Sequence, residues 1–185
     1  MNLIPIIAYA LVVAVAIAAA VMDLRTGLVY NKLTYTTIIL ALIFWAIAAH
    51  FGSPIGLPQA IIGLLAALIP YALMFALGGL GGGDVKLMAA LGALSASWEF
   101  VLATSIYAMI VSLIMAFIVM AKKKIIKQTF NRIFTALLFA QAGCAPAKMQ
   151  PLARLPFALA VAVAATIAGL EYIIGWQSPW SWLGP

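Results

Sequence analysis

The chain has 185 residues, of which 67% are apolar and 8% charged, and it carries a formal net charge of +6. So much apolar surface excludes a soluble globular domain and fits an all-α membrane protein, whose helices keep apolar faces toward lipid. The one cysteine, Cys144, excludes a disulfide framework, a four-thiolate zinc site and a CxxC redox pair within the chain, and reads as a small apolar residue in a connecting segment.

A helix of about 20 residues crosses the hydrocarbon core. The first such stretch, residues 3–22, has no Lys or Arg before it and outlasts the apolar region of a secretory signal, so it is expected to be a retained span. It ends at Asp23. Residues 34–51 predict a second span, with His50 as an interfacial residue, since no second histidine exists to share a metal. Residues 58–77 predict a third, followed by Gly78-Gly79-Leu80-Gly81-Gly82-Gly83 and then Asp84. Residues 85–97 make a shorter fourth span, and residues 99–121 a fifth.

The connection 122–154 is the one sizeable piece outside the spans. There Ile126, Phe130, Ile133 and Leu137 recur at helical spacing while Lys123, Lys127, Asn131 and Arg132 stay polar. That pattern predicts an amphipathic cytoplasmic surface helix, drawn to anionic headgroups. No nucleic-acid motif accompanies the charge, and none is expected to bind. Residues 155–176 predict the sixth span, and Trp176, Trp180 and Trp182 an outer aromatic belt.

Charge sets the orientation. With six spans, the odd loops share one side of the bilayer, and all 10 basic residues fall in them: Arg25, Lys32, Lys86, Lys122, Lys123, Lys124, Lys127, Arg132, Lys148 and Arg154. The positive-inside rule makes that side cytoplasmic and puts both termini outside. The expectation is one polytopic domain over residues 1–185, a six-transmembrane helix bundle in the inner membrane.

Asp23 and Asp84 are the only aspartates, and each stands at a membrane-span end, where an ionisable group is costly and functional by default. On this topology both lie at the cytoplasmic face. Packed together around one water, two carboxylates cannot both ionise easily, and the titration belongs to the pair. The ionised member then takes a proton from water, which attacks a peptide carbonyl, and the protonated member donates to the carbonyl oxygen. The glycines before Asp84 allow φ > 0 and close approach of an extended peptide, or simply break a helix at the membrane surface. Glu99 and Glu171 fall on the outer side, away from the pair.

The segment Gly81-Gly82-Gly83-Asp84 fits the GxGD signature of intramembrane aspartyl proteases, and with Val85-Lys86-Leu87 it resembles the type IV prepilin peptidases. The segment from Asp23 to Thr34 resembles that family's first aspartate motif, an acid followed by a short basic loop and a helix. Val29-Tyr30-Asn31 stands where the family usually carries Ile-Pro-Asn, so Tyr30 replaces a proline while Asn31 is kept. The resemblance spans the first five segments. It implies Asp23 and Asp84 as the catalytic dyad, with Gly81, Gly82, Gly83, Lys86 and Asn31 binding substrate or supporting the dyad, and no metal or cofactor. Its implied substrate is a prepilin-like precursor, cut after a basic leader at the cytoplasmic face. No cytoplasmic insertion with paired CxxC motifs is present, so peptidase activity without methyl transfer is expected, as in the short branch serving tight-adherence pili or the archaeal preflagellin branch.

Lys86 either favours an ionised carboxylate through its charge, holds a substrate carbonyl, or snorkels to lipid phosphate. Arg25 and Lys32 are expected to set topology. A different class of function, a small proton- or cation-coupled transporter, would need an internal repeat and acids near the bilayer midplane. The sequence offers neither.

Overall fold

The computed structural model describes residues 3–122 and 156–174, and the described residues form helices without strands. In chain order these are α1 (Leu3–Thr26), α2 (Asn31–His50), α3 (Leu57–Ala76), α4 (Gly82–Ser95), α5 (Trp98–Lys122) and α6 (Phe157–Ile174). Five of them, all but α4, are long and apolar enough to cross a membrane. The surface helix expected within 122–154, Cys144 and the three C-terminal tryptophans lie outside the described residues.

Two compact units divide the chain, one holding residues up to Met109 together with those from Pro156, the other beginning at Ile110. In the second unit the described residues are the last turns of α5. Both aspartates belong to the first.

Each helix begins and ends for local reasons. The first runs past Asp23 to Thr26, four residues beyond the predicted end, and stops at Gly27, whose φ of +69° only glycine takes cheaply. The second starts at Asn31, behind Tyr30 at φ −70° and ψ 133°. At the start of α3 the Gly56 N–H donates to Gln59 Oε1 at 3.0 Å, and Pro58 fits the first turn, where its missing N–H costs nothing. The fourth begins at Gly82, so Gly82, Gly83 and Asp84 form its first turn rather than a loop. Of the glycine run, Gly78 alone has a positive φ.

The fourth helix is central. It packs against α1, α2, α3 and α6, and every residue from Leu87 to Ser95 is buried. Fourteen residues give it a length of about 21 Å, short of a ~30 Å hydrocarbon core. Its tightest neighbour is α3. A Cβ on Gly63 would collide with the Gly92 carbonyl, and one on Gly92 with the Gly63 carbonyl, so both positions must lack a side chain. On its other side, the Trp45 indole N–H donates to the Leu94 carbonyl at 2.9 Å, satisfying an acceptor in the last turn of α4.

The first and last helices pair through small side chains. Val12, Ala16, Ala19 and Ala20 on α1, and Ala158, Val161, Ala162, Ala165 and Ala168 on α6, are all buried. Gly169 lies where an added Cβ would sit 3.5 Å from Val13 Cγ2. Small residues let two backbones approach, which matters where lipid offers no hydrophobic drive to associate.

Candidate active site

Asp23 stands in the last turn of α1, half-buried, and its Oδ2 accepts a hydrogen bond from the Ala158 N–H at 3.3 Å. Ala158 is the second residue of α6. The carboxylate therefore caps the start of a helix remote in sequence, at the end where unsatisfied N–H groups and the helix dipole favour negative charge.

Asp84 is half-buried in the first turn of α4, with its N–H bonded to the Gly81 carbonyl at 3.1 Å. Its carboxylate folds back over Gly81. An added Cβ there would lie 3.1 Å from Asp84 Oδ2, so the glycine makes room for the acid. Asp84 precedes the apolar run of α4 and lies outside the five long helices. Burial, then the charge of Asp23, push its carboxyl up to about 6, and the Gly81 backbone pulls weakly the other way. The two aspartates are thus near enough to act on each other, through the packing of α1 against α4.

Their flanking segments meet as well. Gly83 faces Val29 of the loop after Asp23, with an added Cβ only 3.5 Å from Val29 Cβ. Lys86 Nζ donates to Asn31 Oδ1 at 2.8 Å and lies 5.3 Å from the centre of the Tyr35 ring. Lys86 is therefore held by the first turns of α2, an arrangement that the sequence readings of carboxylate, substrate carbonyl or lipid phosphate did not include. Tyr30 adopts the φ near −65° that a proline would impose, so the loop keeps a proline-like shape without one.

Sequence reasoning passed over Tyr71. It is buried in α3, donates its hydroxyl to Ser105 Oγ at 3.1 Å, and lies within reach of the Asp84 charge. Ser105 in turn donates to the Val101 carbonyl at 2.6 Å. A tyrosine directly after Pro70, within an otherwise apolar run, was the available signal.

Two grooves open beside these residues. One, of about 760 Å³, is lined by Met22, Tyr30, Asn31, Lys32, Thr36 and Thr37 among others. A second, of about 420 Å³, lies between α2, α3 and α4, and reaches Gly82, Val85 and Lys86. Glu171 is elsewhere: it accepts from the Tyr107 hydroxyl at 2.8 and 3.0 Å, thirteen residues along α6 from Ala158, or about 20 Å. Among the described residues no cluster of His, Cys, Asp or Glu is placed to hold a metal.

No curated protein and no solved structure matches the chain. A family model does: that of the type IV leader peptidases matches residues 10–121, from the first turns of α1 to the end of α5, and takes in both aspartates with the segments that pack around them. Covering more than half of the chain, that match makes this protein a member of the type IV leader peptidase family.

Proposed function

We propose that this membrane peptidase removes the basic leader from prepilin-type precursors, with Asp23 and Asp84 as its catalytic pair and water as the nucleophile. One observation carries the reading: the two acids, sixty-one residues apart, lie at the ends of α1 and α4, which pack together, with Gly83 beside Asp84 facing Val29 of the loop after Asp23. Such a pair holds one proton between two carboxyls. The ionised acid removes a proton from water as the oxygen attacks the scissile carbonyl, and the neutral acid protonates the carbonyl oxygen. Collapse of the tetrahedral intermediate returns that proton to its donor. The base passes the proton it gained to the departing amine, so a peptide and a water become one carboxyl and one amino terminus. Neither a metal nor a cofactor enters the scheme.

The site's position in the bilayer follows from charge. We read residues 85–97, the apolar run that follows Asp84, as a sixth, short crossing within one polytopic domain over residues 1–185. All 10 basic residues then lie on the cytoplasmic side, with both termini outside, and segment 122–154 reads from its sequence as an amphipathic helix on the inner leaflet. The glycines at 81–83 and the two grooves, lined by Met22 and by Gly82 and Val85 among residues flanking the acids, suit an extended peptide entering at that face. A cation-coupled transporter is less well supported, because the acids stand at helix ends rather than midway along them.

The test is cleavage of a purified prepilin-type precursor by the reconstituted chain and by Asp23→Asn and Asp84→Asn. Each variant should insert normally and lose processing by at least a thousandfold. Processing retained by either one rejects the pair.

A further inference from the structure

We propose that Tyr71 belongs to the catalytic apparatus, its phenol oxygen accepting a hydrogen bond from the attacking water while the ionised acid takes that water's other proton. The proposal rests on the peptidase reading above and supplies what that reading left open, the orientation of the nucleophile.

The packing of α3 on α4 brings Tyr71 to the site. Gly63, Ala67 and Tyr71 are buried on α3 at intervals of four, hence on one face. Gly63 meets Gly92, and a Cβ on Gly92 would also stand 3.1 Å from Ala67 Cβ. One turn past Tyr71, the Phe75 ring would lie 3.5 Å from a Cβ on Gly82. The two helices therefore run antiparallel, with Gly63 beside Gly92 and Phe75 beside Gly82. Tyr71 is eight residues from Gly63, and Asp84 eight from Gly92, about 12 Å along each helix, so the two stand at one level. The Asp84 charge accordingly reaches the hydroxyl. On α6, the centre of the Phe157 ring lies 6.5 Å from that of Tyr71, and the next residue, Ala158, is the one whose N–H binds Asp23. Tyr71 thus adjoins both the helix start that carries Asp84 and the helix start that binds Asp23.

Its hydrogen bonds fix what the hydroxyl can do. Ser105 donates its one side-chain proton to the Val101 carbonyl at 2.6 Å, so Tyr71 has to donate to Ser105 Oγ, at 3.1 Å. With its proton committed, the phenol oxygen of the buried Tyr71 offers lone pairs alone. Two carboxyls that share a proton need no further donor, but an attacking water has two protons to place. When both are accepted, its lone pair turns to the scissile carbonyl. One proton passes to the ionised acid. The other stays on the oxygen, hydrogen-bonded to Tyr71, and ends in the new carboxyl group; no bond to Tyr71 forms or breaks. Ser105, which acts through the phenol, is a positioning residue.

Tyr71→Phe removes the oxygen and keeps the ring, and it orphans nothing, because Ser105 still donates to Val101. Measured on the full chain in lipid with a prepilin-type precursor, it should lower kcat about ten- to a hundredfold, with KM and Tm nearly unchanged. Ser105→Ala frees the phenol proton to turn toward a carboxylate and should also lower kcat, whereas Ser105→Thr keeps a hydroxyl and should not. The double variant Tyr71→Phe/Ser105→Ala should be no slower than Tyr71→Phe alone. A folded Tyr71→Phe with wild-type kcat overturns the proposal, as does a loss that multiplies in the double variant. Should Tyr71→Phe fail to fold, the two Ser105 variants decide, and equal kcat in both overturns it. A wild-type chain that cleaves no precursor rejects the peptidase reading, and the role of Tyr71 falls with it.

Discussion

The Lys86 ammonium reaches back across the helix boundary to Asn31 Oδ1 at 2.8 Å, tying the helix of Asp84 to the segment after Asp23. Among the described residues few other polar contacts join the two motifs directly, so this one aligns them. The bond is exposed and worth about 1 kcal/mol, toward the low end for a charged donor. Asn31→Ala and Lys86→Met should each lower kcat about three- to tenfold with little change in Tm. In the double variant the losses should not multiply, since both remove the same contact. A fully multiplicative loss would show that the residues act separately.

Gly81 has an ordinary φ of −81°, so nothing in its backbone demands glycine. Its demand is steric: a Cβ would stand 3.1 Å from Asp84 Oδ2, tighter than a carboxylate normally accepts from a methyl. Gly82 differs, because its Cβ would meet the Phe75 ring at 3.5 Å, an ordinary contact. Gly81→Ala should therefore cut kcat at least tenfold at nearly unchanged Tm, and Gly82→Ala should be milder. Kinetics of the two purified variants check the order.

Much of this was legible in advance, and the remainder was hidden for identifiable reasons. Apolar runs, five of membrane-spanning length and one shorter, located every described helix to within a few residues, because lipid leaves the backbone little choice but helix. The largest boundary error, at α1, came from treating Asp23 as a stop signal. A carboxylate can ride in the last turn when a neighbouring helix end supplies it with a hydrogen-bond donor, as the Ala158 N–H does here. The aspartates were visible because they are rare and stand at span ends. Tyr71 and Ala158 were not, since one looks like a core aromatic and the other contributes a backbone N–H, which no side-chain pattern encodes.

Burial and the Asp23 charge raise the Asp84 carboxyl to about 6, which fixes the direction of two pH effects. The neutral form persists where an ordinary carboxyl has ionised, and it is lost as pH rises through that value. Activity that needs the neutral acid should accordingly show an alkaline limb at or above about 6. For stability, a carboxyl raised in the fold contributes fully below the ordinary value near 4, and the contribution is lost as pH rises through about 6. Asp84→Asn never ionises there, so its Tm should exceed that of wild type at neutral pH, and the gap should close on acidification. A gap that widens in acid contradicts this account of the Asp84 environment.

The crossing of α3 and α4 at Gly63 and Gly92 should dominate the stability of the bundle, because either added methyl meets a backbone carbonyl that cannot rotate away. Separating the helices to fit it would also loosen the Trp45 bond to the Leu94 carbonyl, close to Gly92 on the same helix. Overpacking of a fixed contact typically costs about 1–3 kcal/mol, and a backbone clash belongs at the upper end. Gly63→Ala and Gly92→Ala should each lower the stability measured by unfolding in mixed micelles by that order. Gly169→Ala, whose Cβ would meet only Val13 Cγ2 at 3.5 Å, should be nearly neutral. Because α4 carries Asp84 at its first turn, the two costly variants should also slow processing, with kcat affected more than KM. Equal stability of all three alanine variants would mean that the glycine crossing does not set the position of α4.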